Sequence, residues 1–299
     1  MKDKPAKLGS VSLGPGLPVR IMAAVNVSPE SFYKGSVATT PEEISSRVKK
    51  AVEDGADIVD IGAMSTAPYL HKNETSEEVE LSRIKRALDA ISEVCNVDVS
   101  IDTLRASVAD ASLRAGASVV NDVSGLKNDP EMAKVIREHG ASLLAMAHSS
   151  RLSKAKPIAQ VRHSLKETLR IAEKAGIDNR RIVLDPGIGF FREEGTGEAY
   201  SPQKLMPWHE WDCHVLANLR ELEPLHRPLC VGLSRKSFLG KILSLERPDE
   251  RLPASLAATA IAVMNGASMI RTHDVKETVQ AVRVAEAIMK GKRQDRRAA

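Results

Sequence analysis

The stretch Arg181-Ile-Val-Leu-Asp-Pro-Gly-Ile-Gly-Phe190 sets the reading of the whole chain. Arg181 to Leu184 reads as a short apolar strand. It runs directly into Asp185-Pro-Gly-Ile-Gly, where one Pro and two Gly forbid both a helix and further ladder pairing. A carboxylate is therefore left at the carboxyl end of a strand. In parallel α/β proteins, open or closed, ligands sit at that end, which makes Asp185 a candidate for chemistry. Taken alone, Asp-Pro-Gly is more often a plain turn. What changes the balance is that the same arrangement recurs along the chain.

Working outward, apolar strands are expected at Val19–Val25, Asp57–Ile61, Val97–Ile101, Ser118–Val120, Ser142–Met146, Arg181–Leu184, Leu229–Gly232 and Ser268–Ile270. Helices are expected between them. The first starts at Thr40-Pro-Glu-Glu43, with a capping Thr, Pro at the first helical position and acids in the first turn. Ile44, Val48, Ala51 and Val52 give it an apolar face, and Asp54-Gly-Ala56 stops it. Further helices fall at 76–94, 104–115, 129–138, 158–175, 252–265 and roughly 275–290, and several end in Gly-Ala or Gly before the next strand. Eight strands in a helix-alternating order, with no linker or shift in composition between copies, predict a single-domain α/β (β/α)8 TIM barrel over 19–290. Residues 1–18 read as an N-terminal extension and 291–299 as a basic C-terminal tail. No G-x-G-x-x-G or G-x-x-x-x-G-K-[ST] follows a strand, so the usual dinucleotide and P-loop sites are excluded.

Composition narrows the function classes. With 42% hydrophobic and 27% charged residues the chain has an ordinary globular balance, and its formal net charge of +4 is mild. Aromatic residues make up only 3%, which argues against a protein that stacks nucleic-acid bases on rings. Cys95, Cys213 and Cys230 are odd in number and far apart, so neither a disulfide framework nor a zinc site is expected. No apolar run is long enough for a membrane span, and the N-terminus lacks the apolar core of a signal peptide. A cytoplasmic protein without nucleic-acid or membrane partners is expected.

In a barrel, the carboxyl ends of all eight strands open on one face. That face would gather Asn26, the Gly62-to-Ala67 loop, Asp102, Asn121, Met146, Asp185, Lys236, Arg271 and His273. Each has a plain explanation as a cap, turn or surface residue. Together they divide into two chemistries. Asp102, Asn121, Asp185 and Lys236 offer acceptors and donors for a flat nitrogen heterocycle, because a carboxylate takes the paired N–H donors of an amino-pyrimidinone edge. Asn26, Arg271 and His273 offer no acid and suit an anion such as phosphate.

With these residues in place, the chain resembles dihydropteroate synthases over nearly its whole length. The resemblance lies in Met22-Ala-Ala-Val-Asn-Val-Ser-Pro-Glu-Ser-Phe32, Asp60-Ile-Gly-Ala-Met-Ser-Thr66, Ser100-Ile-Asp-Thr103, Asn121-Asp-Val-Ser-Gly125, Asp185-Pro-Gly-Ile-Gly-Phe190, Ser234-Arg-Lys-Ser-Phe-Leu-Gly240 and Arg271-Thr-His-Asp-Val275. That family has a TIM barrel and joins 6-hydroxymethyl-7,8-dihydropterin diphosphate to 4-aminobenzoate with loss of diphosphate. The resemblance implies that Asp102, Asn121, Asp185 and Lys236 hold the pterin, with Met146 lining its pocket. It implies that Asn26, Arg271 and His273 hold the diphosphate, that Asn26 also touches Mg2+, and that Thr66 belongs to the substrate-binding set. Asp102, Asp185 and Lys236 become the catalytic group, and a homodimer is implied by the same analogy.

The departures fall on one side of the site. The family's second loop usually reads Gly-Gly-Glu-Ser-Thr-Arg-Pro, whereas Gly62-Ala-Met-Ser-Thr-Ala-Pro68 has Met64 and Ala67 for its Glu and Arg. Met146-Ala-His148 and Phe191-Arg192 likewise differ from the usual Met-His-Met and Gly-Lys. Three readings are open: a synthase using 4-aminobenzoate or a ribosylated arylamine, a pterin-dependent methyltransferase, and a non-catalytic pterin-binding homologue. Retention of Arg271 and His273 favours the synthase, and loss of the loop Arg is the argument for the binding homologue.

Overall fold

The computed structural model describes residues 5–29, 35, 37–64, 75–148, 155–191 and 206–298, the side chains only as far as 291. The chain opens with an antiparallel hairpin, β1 (Ala6–Leu8) and β2 (Val11–Leu13). Eight parallel strands come next: β3 (Arg20–Asn26), β4 (Ile58–Gly62), β5 (Asp98–Asp102), β6 (Val119–Asp122), β7 (Ser142–Met146), β8 (Ile182–Asp185), β9 (Cys230–Gly232) and β10 (Met269–Thr272). They pair in the order β8-β7-β6-β5-β4-β3-β10-β9. A bridge between Leu184 and Leu229, with the Leu184 N–H donating to the Pro228 carbonyl at 3.0 Å, joins the two outer strands. The sheet is thus a closed (β/α)8 barrel, as the strand count requires.

The helices on its outside are α1 (Pro41–Glu53), α2 (Glu77–Ser92), α3 (Ala106–Arg114), α4 (Met132–Glu138), α5 (Pro157–Ala175), α6 (Trp208–Ala217), α7 (Ser237–Leu243), α8 (Leu252–Met264) and α9 (Val275–Ala298). Local sequence accounts for where they begin. At α1 the Glu43 N–H donates to the Thr40 hydroxyl at 3.2 Å while the Glu43 carboxylate accepts from the Thr40 N–H at 3.2 Å, a reciprocal capping box. Ile44, Val48 and Ala51, spaced by four and three residues, then face the barrel. The periodicity reading contains neither α6 nor α7. The first carries Trp211, which is 1% exposed and stacks on Phe191 with ring centroids 5.7 Å apart, so this residue belongs to the core. Helix α9 runs on to Ala298, through the basic run read as a tail. Among the described residues, no helix is long and apolar enough to cross a membrane.

Inside the barrel every second residue of each strand points inward. Met22, Ile58, Val119, Leu144, Val183, Cys230 and Met269 form one apolar layer there, and Leu8 and Leu13 of the hairpin complete it from the amino-terminal end. Both leucines are fully buried. The hairpin turn is fastened to the strand starts: the Gly9 N–H donates to the Ser142 hydroxyl at 3.0 Å and the Ser10 N–H to the Asp98 carboxylate at 2.8 Å. One end of the barrel is therefore sealed with hydrocarbon, and polar side chains are left to the other. Leu8→Ala should destabilise the protein by about 2–5 kcal/mol, the range for emptying a fully buried leucine site, read as a lowered urea midpoint with unchanged slope.

Candidate active site at the carboxyl ends of the strands

Two residues beyond the apolar layer, the inward positions turn polar. Strand register aligns Asn26 with Gly62, Gly62 with Asp102, and Asp102 with Asn121, so four neighbouring strands carry these residues in one lateral row. Gly62 leaves space in that row, because a Cβ there would lie 3.2 Å from the Asn26 side-chain oxygen. Asp60 sits one inward step deeper and has no exposed surface. Its Oδ2 accepts from Arg271 Nε at 2.7 Å and from Asn121 Nδ2 at 3.1 Å. Arg271 also donates through a terminal nitrogen to Asp102 Oδ2 at 3.4 Å. The second oxygens of Asp60 and Asp102 are buried and have no hydrogen-bond partner among the described residues. Burial and the neighbouring Asp60 push the Asp102 carboxyl up to about 7, against the pull of Arg271. Burial alone would lower the Arg271 pKa, but the two carboxylates outweigh it and hold the guanidinium above its usual value.

The opposite wall comes from the Asp185 loop. Asp185 pairs in register with Met146, which is buried, and accepts from the Gly187 N–H at 2.7 Å. Burial raises its carboxyl, while that N–H, Lys236 and Arg271 pull it down. Gly187 and Gly189 adopt φ of 72° and 87°, where a side chain is strained. A Cβ on Gly187 would lie 2.7 Å from the Ala147 carbonyl oxygen, and one on Gly189 3.2 Å from Lys236 Cδ. Asp212 of α6 accepts from the Gly189 N–H at 2.8 Å and so fixes the loop from behind. The Lys236 ammonium then lies 4.3 Å from the Phe190 ring centroid, a cation–π contact at the mouth.

The third wall is set by the Ser234-Arg-Lys-Ser segment. Arg235 is buried and grips Asp274 with a fork, Nη2 to Oδ1 at 2.7 Å and Nε to Oδ2 at 3.0 Å. The Ser234 hydroxyl donates to Asp274 at 3.1 Å and accepts from the His273 N–H at 3.3 Å. His273 in turn sets its Nδ1 3.0 Å from the Ala24 carbonyl oxygen, which fixes the hydrogen on that nitrogen in the neutral ring. Burial, with Arg271 adding to it, pushes the imidazole down to about 4.

The structure thus brings Asn26, Asp102, Asn121, Met146, Asp185, Lys236, Arg271 and His273 to one end of the barrel. Thr66 and most of the second loop lie outside the described residues. The loop's first residues are held from outside: Arg83 donates to the Ala63 carbonyl at 3.0 Å, and Arg105 approaches the Met64 sulfur at 3.9 Å. Arg105 also donates to the Thr75 carbonyl at 2.9 Å and is ion-paired with Glu80, whose carboxylate is fully buried and accepts from the Thr103 hydroxyl at 2.7 Å. Sequence reasoning missed Asp60, Arg105 and Arg235. Asp60 could have been found, since a carboxylate two residues after Ile58 in an otherwise apolar strand must point the same way as Ile58.

The sequence model of the family described as pterin binding enzyme matches residues 22–273. Over 285 residues the chain is 34% identical to dihydropteroate synthase of Clostridium beijerinckii, covering 95% of this chain and 99% of that one. The chain belongs to the dihydropteroate synthase family. Two solved structures of the Xanthomonas albilineans dihydropteroate synthase are similar to it over nearly their whole length. The complex with 7,8-dihydropteroate superposes with a TM-score of 0.79 at 30% identity, covering 96% of this chain and 99% of that one. The complex with 4-aminobenzoic acid gives 0.81 at 31%, covering 95% and 98%.

For this family member the walls predict the protonation state of its histidine. An NMR titration of His273 should give a midpoint near 4, well below the ordinary 6.5, so the ring is neutral at pH 7. Inorganic diphosphate should raise that midpoint, since a nearby anion favours the imidazolium. Because the unfolded ring titrates higher than the folded one, His273 withdraws stability as pH falls from 6.5 to about 4.

Proposed function

We propose that this chain catalyses its family's reaction, joining 6-hydroxymethyl-7,8-dihydropterin diphosphate to 4-aminobenzoate with release of diphosphate. The carrying observation is the polar layer itself: the buried carboxylates Asp60 and Asp102 and the partly buried Asp185, with the amide of Asn121 and the cations Arg271 and Lys236, at the open end of a barrel whose other end is sealed. Such a layer costs stability unless a ligand uses it. Asp102, Asn121 and Asp185 supply acceptors for the N–H edge of a pterin, and Lys236 donates to its ring. Arg271 and His273 face the diphosphate.

The chemistry requires little else of the protein. As the C–O bond to diphosphate breaks, positive charge develops on the pterin methylene, which Asp102 and Asp185 would stabilise. The arylamine nitrogen forms the new C–N bond and then loses a proton. No protein nucleophile takes part, and burial raises the thiols of Cys95, Cys213 and Cys230 from their ordinary value, which disfavours the thiolate.

Mg2+ belongs to the same proposal. Among the described residues no three His, Cys, Asp or Glu side chains cluster to cage a metal, and Asn26 offers a single amide oxygen beside the space left by Gly62. That sparse set fits a hard cation that keeps several waters and takes its remaining oxygens from phosphate. Bound at Asn26, the ion would neutralise charge on the leaving diphosphate.

A cytoplasmic setting and a homodimer complete the reading. All three cysteines are free thiols. Ile242 and Leu243 of α7 and Ile261 of α8 are large exposed apolar side chains suited to a second copy. Light scattering should give twice the 32.4 kDa chain mass, and a monomer would remove this part. The function is tested by diphosphate release from the pterin diphosphate with Mg2+, run with 4-aminobenzoate, with its ribosyl phosphate derivative and without amine. Release that depends on 4-aminobenzoate is expected. Dependence on the ribosylated amine alone would change the second substrate, and no release with either would overturn the synthase reading.

A further inference from the structure

We propose that Asp60 is a positioning residue, one carboxylate that fixes the anion-facing Arg271 and the heterocycle-facing Asn121 relative to each other. This inference rests on the synthase reading and deepens it. Its first support is geometric. A single oxygen, Asp60 Oδ2, takes the Arg271 Nε hydrogen at 2.7 Å and the Asn121 amide hydrogen at 3.1 Å, so donors from β10 and β6 converge on one atom carried by β4. The guanidinium is thereby held with one terminal nitrogen toward Asp102.

The second support is energetic. Asp60 occupies an inward barrel position with no exposure, directly above the apolar layer that holds Ile58. A hydrocarbon side chain would serve packing there without the desolvation cost of a carboxylate. The charge is instead matched to Arg271, and removing Asp60 would leave that guanidinium, among the described residues, with the longer, 3.4 Å contact to Asp102.

The third support is the division of labour between two carboxylates. Asp102 is faced by Asp60 from β4, Glu80 from α2, Asp122 from β6 and Arg271 from β10. Asp60 holds the shorter contact to Arg271, and its charge keeps Asp102 prone to taking up a proton. A donor edge of the pterin needs Asp102 ionised, so pterin affinity should rise with pH through the Asp102 titration near 7.

The test is calorimetric binding of 6-hydroxymethyl-7,8-dihydropterin diphosphate between pH 5 and 9, to the full chain and to Asp60→Asn. The amide keeps the shape but removes the charge. The variant is expected to bind about tenfold or more weakly at pH 8, the loss of a charge-assisted contact. Its pH midpoint should fall by about one unit, because both the lost negative charge and the released Arg271 favour ionised Asp102. The ligand's own ionisations are common to both proteins. Wild-type affinity with an unmoved midpoint would overturn the inference, as would weaker binding with an unmoved midpoint, the mark of a merely structural loss. Should Asp60→Asn fail to fold, the double variant Asp60→Asn, Arg271→Gln removes both partners of the ion pair together and is compared with Arg271→Gln alone. A lower midpoint in the double variant supports the inference and equal midpoints overturn it. Failure of the unaltered chain to bind the pterin diphosphate at all would instead strike the functional reading.

Discussion

Closing eight strands into a barrel gives every second residue of every strand a share of one interior, and that constraint organises the molecule. An interior that narrow is filled in layers. The hairpin leucines and the first inward residues of the strands take the lower layers with hydrocarbon. The side chains two residues further along each strand are then forced to meet at the open end, however distant in sequence. Asp60 and Arg271 are 211 positions apart yet 2.7 Å from each other for this reason. The site is less a set of loops than the top layer of the core.

The charge pattern of that layer has its origin in the same confinement. Asp60, Asp102 and Asp185 with Arg271 and Lys236 leave an excess of negative groups in a region of low dielectric. The structure answers by raising Asp102 and Asp185, while burial and the Arg271 charge keep His273 neutral. Supports from outside the barrel complete the arrangement: Asp212 behind the Asp185 loop, Asp274 under Arg235, and Glu80 beside Arg105. Each is a carboxylate holding a backbone N–H or a guanidinium, which spares the ligand-facing groups from holding one another.

Much of this was legible in the sequence, and the exceptions share a cause. The eight strands were visible because each is a compact apolar run, and Asp102, Asn121, Asp185 and Arg271 were visible because each comes directly after such a run. Asp60 was hidden because Asp57-Ile-Val-Asp-Ile reads as a strand interior, where attention falls on the apolar residues rather than on which face the carboxylate shares with Ile58. Arg235 and Arg105 were hidden because their partners, Asp274 and Glu80, lie 39 and 25 positions away. The hairpin escaped for a different reason. Its strands are three residues long, although Leu8-Gly-Ser-Val11 is a two-residue turn signal between the alternating apolar residues Ala6, Leu8 and Val11, Leu13. Helix α6 escaped because its Trp-His-Glu-Trp start has no capping residue and its core contact is made by aromatic stacking on Phe191.

The hairpin also bears on how the chain reaches its native state. Gly9 finds its partner on Ser142, 133 residues further on, and Leu8 and Leu13 share their layer with Val183, Cys230 and Met269. Residues near the start of the chain therefore cannot find all their partners until the last strand is available. Contacts of such long sequence separation carry a loop-closure cost before they return any burial, which slows folding. The piece that seals the barrel floor is thus made before the strands it packs on and is satisfied only with the last of them, and until then its leucines are exposed to association with other chains.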